Sequence, residues 1–355
     1  MPVDVKPDDL LLGALSAVAP GTILREGLDH VISARTGALI VIGDENGVEE
    51  ICNGGFIVKV PYTPQRLFEL AKMDGAIILD EGAVHILKAN VHLVPDATLP
   101  TAETGMRHRT AERVSRQTNA LVISISQRRD VVSLYSGGSR LILEDIEVVL
   151  AKANQALQTL QRYRSSLDEV ATRLTMLEFE GVVTLGDVVN VIRRSEMLLR
   201  VARDVGRLVV ELGSDGRLVR MQADELVAGV EDDFVMLVRD YIQGGSARKA
   251  ATVRSKIAAL TPDQLLEATV IAQALGYPAS TDSSELHVQP AGFRMLRHIP
   301  MLPATVINRL IERFGTLIAL LSASEAQLDD VDGVGERRAR AIREGLRRMR
   351  EHAAL

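Results

Sequence analysis

One cysteine in 355 residues, Cys52, is too few for an internal disulfide or a cysteine-based zinc cluster. A buried structural thiol in a reducing compartment is its expected role. The longest apolar runs, such as Ala38 to Ile42, fall far short of the ~20 residues that span a bilayer. The start, Met-Pro-Val-Asp-Val-Lys-Pro-Asp-Asp, has no basic segment followed by an apolar core, so no secretory signal is expected. Walker A and Gly-x-Gly-x-x-Gly fingerprints are absent, and no Ser-His-Asp or Cys-His arrangement stands out. His30, His85 and His92 have no cysteine or paired carboxylate at ligand spacing and read as ordinary strand or surface residues. These absences predict a soluble, cytoplasmic protein with no membrane contact.

The composition, 46% hydrophobic and 25% charged, is that of a globular chain long enough for two or three domains. Its net charge of −6 is unevenly spread. From Leu286 to Leu355 there are 11 arginines, no lysine and 8 acidic residues, so this tail carries +3 and the rest −9. Such asymmetry points to an anionic partner at one end.

Periodicity divides the chain into three. Up to about residue 145, β-branched runs alternate with helical patterns. Strands are predicted at Ala38–Ile42, Phe56–Val60, Ala76–Leu79, Val84–Leu87, Val91–Val94, Leu121–Ser126, Val131–Tyr135 and Leu141–Leu143. Helices are predicted at Pro7–Ala19, Ile23–Ala34, Pro64–Met73 and Thr104–Gln117. Hairpin spacings mixed with helical crossovers predict an α/β domain with a mixed sheet flanked by helices, residues 1–145. From Ile146 the apolar residues Ala153, Leu160, Leu167 and Leu174 recur every seven, with no Gly or Pro from Ser139 to Glu180. That is one long helix, opening an all-α spine over residues 146–285 with turns at Gly213–Gly216 and Gly244-Gly245-Ser246. Pro278 to Glu285 reads as a linker into a helical domain at 286–355.

Within that tail, Val331-Asp332-Gly333-Val334-Gly335-Glu336-Arg337-Arg338-Ala339-Arg340 has the helix-hairpin-helix pattern. Its glycines let backbone N–H groups approach a DNA phosphate, and small Ala339 lets the second helix pack closely. The predicted DNA contacts are Gly333, Val334, Gly335, Arg337, Arg338 and Arg340. A second copy, Ile299-Pro300-Met301-Leu302-Pro303, completes a tandem but is degenerate, with prolines expected in place of the hairpin glycines.

In the first domain, Asp74-Gly75-Ala76 lies where a helix gives way to an apolar strand. Asp74 there either caps the turn or offers a carboxylate to a divalent cation, and small Gly75 and Ala76 would let a base or phosphate lie on the backbone. Thr104-Gly105-Met106-Arg107-His108-Arg109-Thr110 sets two arginines and a histidine in the first turn of a helix, where open N–H groups favour an anion. A solvated helix face, with Glu112 and Arg116 paired on the surface, is the competing reading.

Taken in order and at these distances, Gly37-Ala38-Leu39-Ile40-Val41-Ile42-Gly43, Asp74-Gly75-Ala76 and Arg107-His108-Arg109-Thr110-Ala111 resemble the diadenylate cyclase family. The resemblance implies that two cyclase domains face each other, each with one ATP, and condense them to cyclic di-AMP and two pyrophosphates. It implies Asp74 as the carboxylate for Mg2+ or Mn2+, with Asp74, Arg107, His108 and Arg109 as catalytic residues. It implies ATP contacts at Gly75, Ala76, Leu93, Met106, Arg107, His108, Arg109, Thr110 and Ser126. Where the family pattern has Ser-Glu, this chain has Ser126-Gln127-Arg128-Arg129, so Ser126 alone is carried over as a phosphate contact. The resemblance further implies a homo-octamer, nucleoid association, and a DNA-integrity role in which branched DNA such as a Holliday junction, held by the tail, suppresses the cyclase. Two alternatives stay open: a helix-hairpin-helix DNA-repair enzyme, and a DNA-binding scaffold with a degenerate nucleotide domain. Against the first, a glycosylase of that type needs an Asp downstream of the hairpin, and none follows Asp332.

Overall fold

Five consecutive apolar residues, Ala38–Ile42, form β1, and all five are buried. Complete burial requires cover on both faces of a sheet, and the two faces can be read from alternate residues. Ala38, Ile40 and Ile42 join one core and Leu39 and Val41 another. The computed structural model describes residues 7–127, 131–242, 246–278 and 285–353. The expectations placed on Arg128, Arg129, Gly244, Gly245 and most of the 278–285 linker lie outside the described residues.

The chain divides into two compact units, residues 1–155 with 205–221, and residues 156–204 with 222–355. In the first unit the order is α1 (Pro7–Ala17), α2 (Ile23–Ser33), β1, α3 (Glu45–Ile51), β2 (Cys52–Asn53), β3 (Phe56–Pro61) and α4 (Pro64–Ala71). Next come β4 (Ala76–Leu79), β5 (His85–Leu93), α5 (Met106–Gln117), β6 (Leu121–Ile125), β7 (Val132–Ser136) and β8 (Ser139–Ile142). The sheet order is β2-β5-β4-β1-β6-β7-β8, with β3 also pairing β5. Among the described strands only β1 and β4 run parallel, and the other pairings are antiparallel. Helices α1, α2 and α4 cover one face through Leu15, Leu28 and Leu67. The other face packs on α3 and α5 through Val48, Ile51, Ala111 and Val114.

This is the predicted mixed-sheet α/β domain, with local differences. The two strands expected within residues 84–94 are one nine-residue strand, β5, in which Asn90 takes a left-handed φ of 53° and the register against β4 shifts. Polar Lys88 and Asn90 break the apolar alternation at that irregularity. Helix α3 and β2 were not predicted. Short helices carry little periodic signal, and this one starts from its cap, Asp44, whose side chain accepts from Gly47 N–H. Cys52 is half-buried at the end of α3, and burial pushes its thiol up.

Helix α6 (Ile146–Glu180) is the long helix expected from its heptad spacing, and α7 (Leu185–Leu212) follows it. Each begins in one unit and ends in the other. No helix among the described residues is long and apolar enough to cross a membrane.

The second unit adds α8 (Arg217–Val227), which starts in the first, then α9 (Val230–Tyr241), α10 (Ala247–Ala258), α11 (Pro262–Leu266) and α12 (Ala268–Leu275). The C-terminal helices are α13 (Phe293–Arg297), α14 (Ala304–Phe314), α15 (Leu317–Ser322), α16 (Glu325–Asp329) and α17 (Gly335–Ala353). These last five share one core with Phe179 of α6. Beside it, buried Asp240 of α9 caps α13: its carboxylate accepts from Gly292, Phe293 and Arg294 N–H at 2.7, 2.6 and 3.0 Å. Arg294 in turn pairs with buried Glu178 of α6, which also accepts from Tyr241 at 2.7 Å.

Candidate active site and nucleic-acid interface

Strand register brings the first-domain motifs to one end of the sheet. Ala38 pairs with Ile125 and Leu39 with Ala76, so Gly37, Gly75 and Ser126 are neighbours just beyond β1, β4 and β6. Pairing of Ala76 with Val91 brings Leu93, at the end of β5, to the same rim. A cavity of about 1000 Å3 opens at the opposite end, over Gly43, Asp44 and Glu81. Of the motif residues it touches only Ile42 and Gly43, at the far end of β1 from Gly37, Asp74 and Arg107.

Helix α5 delivers Met106 to Thr110. Its N-cap, Gly105, has no side chain to occupy the first N–H groups, which stay directed out of the helix start. Arg113 anchors the preceding loop by donating to Leu99 O at 3.0 Å and Ala97 O at 2.9 Å. Glu112 and Arg116 do pair, at 2.8 Å, but Glu112 is buried rather than on a solvated face. It also accepts from Thr101 Oγ1 at 2.7 Å and Ala102 N–H at 3.2 Å. Burial works to raise the Glu112 carboxyl, and the hydrogen bonds from Thr101, Arg116 and Ala102 outweigh it and hold it low. The pair therefore fixes the loop that leads into the motif.

Arg107 lies across Gly37. A Cβ at position 37 would stand 2.2 Å from Arg107 Nη1 and 3.2 Å from Ile125 O, so glycine is what lets the guanidinium rest there. From that seat Arg107 Nη2 comes within 3.7 Å of Asp74 Oδ1, and the Asp74 side chain is 102% exposed. So exposed a pair is screened by water and adds little to stability. Arg109 and Met106 are exposed, Met106 at 85%, while Thr110 and Ser126 are half-buried.

Other motif residues serve the fold. Ala76 and Leu93 are buried in the core beneath α5. Gly75 has φ +95°, and a Cβ there would meet the Asn90 carbonyl carbon at 2.8 Å and Val91 O at 2.9 Å. Backbone approach of β5 is thus a sufficient reason for this glycine.

His108 leads to residues that the sequence reading missed. Its Nδ1 is 2.9 Å from Tyr135 Oη, which donates to Glu103 Oε1 at 3.1 Å. Arg140, directly across from Tyr135 in the β7–β8 register, pairs with Glu103 at 2.6 Å. Burial above all pushes the Tyr135 phenol well above its ordinary value, so it stays protonated.

Among the described residues no group of three or more His, Cys, Asp or Glu could hold a metal ion. A lone exposed carboxylate still suits Mg2+, which keeps much of its water and is commonly held by one or two carboxylates plus substrate phosphates. His85, read as an ordinary residue, pairs with Asp80 at 2.9 Å.

In the second unit, the Gly333–Gly335 motif lies in the loop between α16 and α17. Gly333 and Gly335 have φ +87° and +63°. Arg309 of α14 braces the loop, donating to Asp332 O at 3.0 Å and pairing with its carboxylate at 2.8 Å. Of the predicted contacts, Gly333, Gly335, Arg337 and Arg340 are exposed. Arg338 bends back to donate to Gly333 O, and Arg340 pairs with Glu336 at 3.0 Å. Val334 is turned inward: its side chain is buried and its N–H donates to Val331 O at 2.9 Å. In the degenerate copy, aligned on Ile299 and Val331, Met301 stands where Gly333 does and keeps a left-handed φ of 65°. Only the second glycine position is taken by a proline, Pro303, which caps α14.

Known proteins resemble this chain over nearly its whole length. Residues 25–140 match the family described as DisA bacterial checkpoint controller nucleotide-binding, and residues 143–284 match the DisA bacterial checkpoint controller linker region. DNA integrity scanning protein DisA of Carboxydothermus hydrogenoformans is 50% identical over 97% of this chain and 98% of its own length. That of Symbiobacterium thermophilum is 52% identical over 96% of each. A crystal structure of DacA from Staphylococcus aureus is 22% identical, covering 41% of this chain and 93% of its own, with a TM-score of 0.30. Identity of this level along almost the whole of both chains, with the two family matches side by side, means that the chain belongs to the DisA family of diadenylate cyclases.

Proposed function

We propose that the rim formed by Asp74, Arg107, His108, Arg109 and Ser126 binds one ATP and is half of a cyclase site completed by a second copy. The observation that carries this reading is Arg107 seated on Gly37 beside an exposed Asp74, at an open end of the sheet. In the reaction, the ribose 3′-oxygen of each ATP attacks the α-phosphorus of the other. A new P–O bond forms, the bond from Pα to the bridging oxygen breaks, and pyrophosphate leaves; two such transfers close cyclic di-AMP.

Little covalent work falls to protein in such transfers, so positioning and charge stabilisation dominate. Arg107, Arg109 and the open N–H groups of α5 face the phosphate charge, and Thr110 and Ser126 offer hydroxyls. Asp74 would hold Mg2+ or Mn2+, which supplies charge neutralisation and lowers the pKa of the attacking hydroxyl when bound. Leu93, Gly75 and Ala76 shape the wall behind the nucleotide from within the core. Incubation with ATP and either metal, followed by chromatography, tests the reading. Cyclic di-AMP is the expected product, and its absence with both metals overturns the proposal.

The hairpin at Gly333–Gly335 is proposed to bind DNA phosphates through its backbone, with exposed Arg337 and Arg340 beside it, and branched DNA is proposed to inhibit the cyclase. Gly333→Leu combined with Gly335→Leu is expected to weaken binding to a four-way junction while basal cyclase rate is kept. Unchanged junction affinity would remove the hairpin from this role.

A further inference from the structure

A buried phenol has one proton to give, and Tyr135 must place it among Glu103, His108 and Ser133. Tyr135 Oη lies 3.1 Å from Glu103 Oε1 and 2.9 Å from His108 Nδ1. Glu103 is tied to Arg140 at 2.6 Å and as a carboxylate can only accept, so the phenol proton goes to it. The phenol oxygen is then left to accept, and Nδ1 must carry the hydrogen of that bond. Free imidazole favours the other tautomer.

We propose that Tyr135, backed by Glu103 and Arg140, is a positioning residue that holds His108 as the Nδ1–H tautomer and so makes Nε2 the nitrogen turned to the nucleotide. The inference rests on the cyclase reading for what Nε2 meets. In the neutral ring Nε2 has a lone pair, and a second proton on the ring must be carried there, where it donates to a phosphate oxygen. Second-layer partners of this kind fix orientation and tautomer, and their loss commonly costs ten- to a hundredfold in activity.

Two substitutions release the lock in different ways. Tyr135→Phe deletes the acceptor for Nδ1–H. Glu103→Ala leaves the phenol but frees its proton to turn toward Nδ1. Both should convert His108 to the Nε2–H form in long-range 1H–15N spectra of the full-length, histidine-labelled chain, with the signal assigned by its loss in His108→Gln. Both should lower kcat by about ten- to a hundredfold while KM for ATP moves less than about threefold, because the arginines remain. Glu103→Gln keeps an acceptor oxygen and is expected to retain the Nδ1–H form and most of the rate. Persistence of Nδ1–H in Tyr135→Phe or Glu103→Ala, or a tautomer change with kcat unaltered, overturns the inference. A wild-type chain with the locked tautomer and no cyclic dinucleotide product overturns the cyclase reading and supports the lock. Should Tyr135→Phe fail to fold, Glu103→Ala decides the matter.

Discussion

Asp74 is so exposed that folding gains almost nothing from it, whereas the proposed chemistry cannot do without it. Asp74→Asn should therefore abolish product while the urea midpoint of unfolding stays essentially unchanged. Retained activity would take Asp74 out of the metal role. Two glycines separate grip from fold in the same way. Gly37→Ala pushes on the movable end of Arg107 and is expected to weaken ATP binding about tenfold with little loss of stability, read by calorimetry. Gly75→Ala collides with backbone in a left-handed conformation and should cost about 2–4 kcal/mol, read by urea unfolding. Asp74 and Arg107 to Thr110 were legible because each motif is contiguous in the chain. Glu103, Tyr135 and Arg140 were not: Tyr135 reads as one more apolar strand residue until the β7–β8 register and the packing of α5 set it between Glu103 and His108.

At the level of elements, long patterns were legible and short or interrupted ones were not. The termini of β1, β4 and α6 follow from unbroken apolar or heptad patterns, whereas α3 is a single short helix and β5 is broken by its Asn90 irregularity. Nor does the sequence announce that Asp240, sixty residues from α6, caps α13. Its carboxyl is pushed up to about 7, first by burial and then by the nearby Glu178 charge. An unfolded aspartate titrates near 4. Between about pH 4 and about pH 7 the folded chain therefore holds a proton that the unfolded chain has released, so this group makes stability fall as pH rises. Asp240→Asn keeps an acceptor oxygen for α13 and removes that titration. Denaturation midpoints measured across this range should decline less steeply in the variant than in the wild type.

For the whole molecule, the proposed half-site predicts how mixtures behave. If each ATP is activated by its own subunit's Asp74, a pair of one wild-type and one Asp74→Asn chain completes only one of the two transfers. Exchange of wild-type chains with excess variant should lower cyclic product per wild-type chain, and a linear dinucleotide with one remaining triphosphate should accumulate. Cyclic product that simply tracks the amount of wild-type chain would argue for a complete site in each copy. The division into units has a different consequence, one of timing. Val205–Met221 belongs to the first unit, where Val209 and Leu212 are buried and Ser214 N–H donates to Pro20 O at 3.0 Å. A ribosome must synthesise residues 156–204, which belong to the second unit, before it can supply that piece. The nucleotide-binding half is thus begun first and finished late, and a nascent chain stopped anywhere in α6 exposes an N-terminal unit that still lacks part of its own wall.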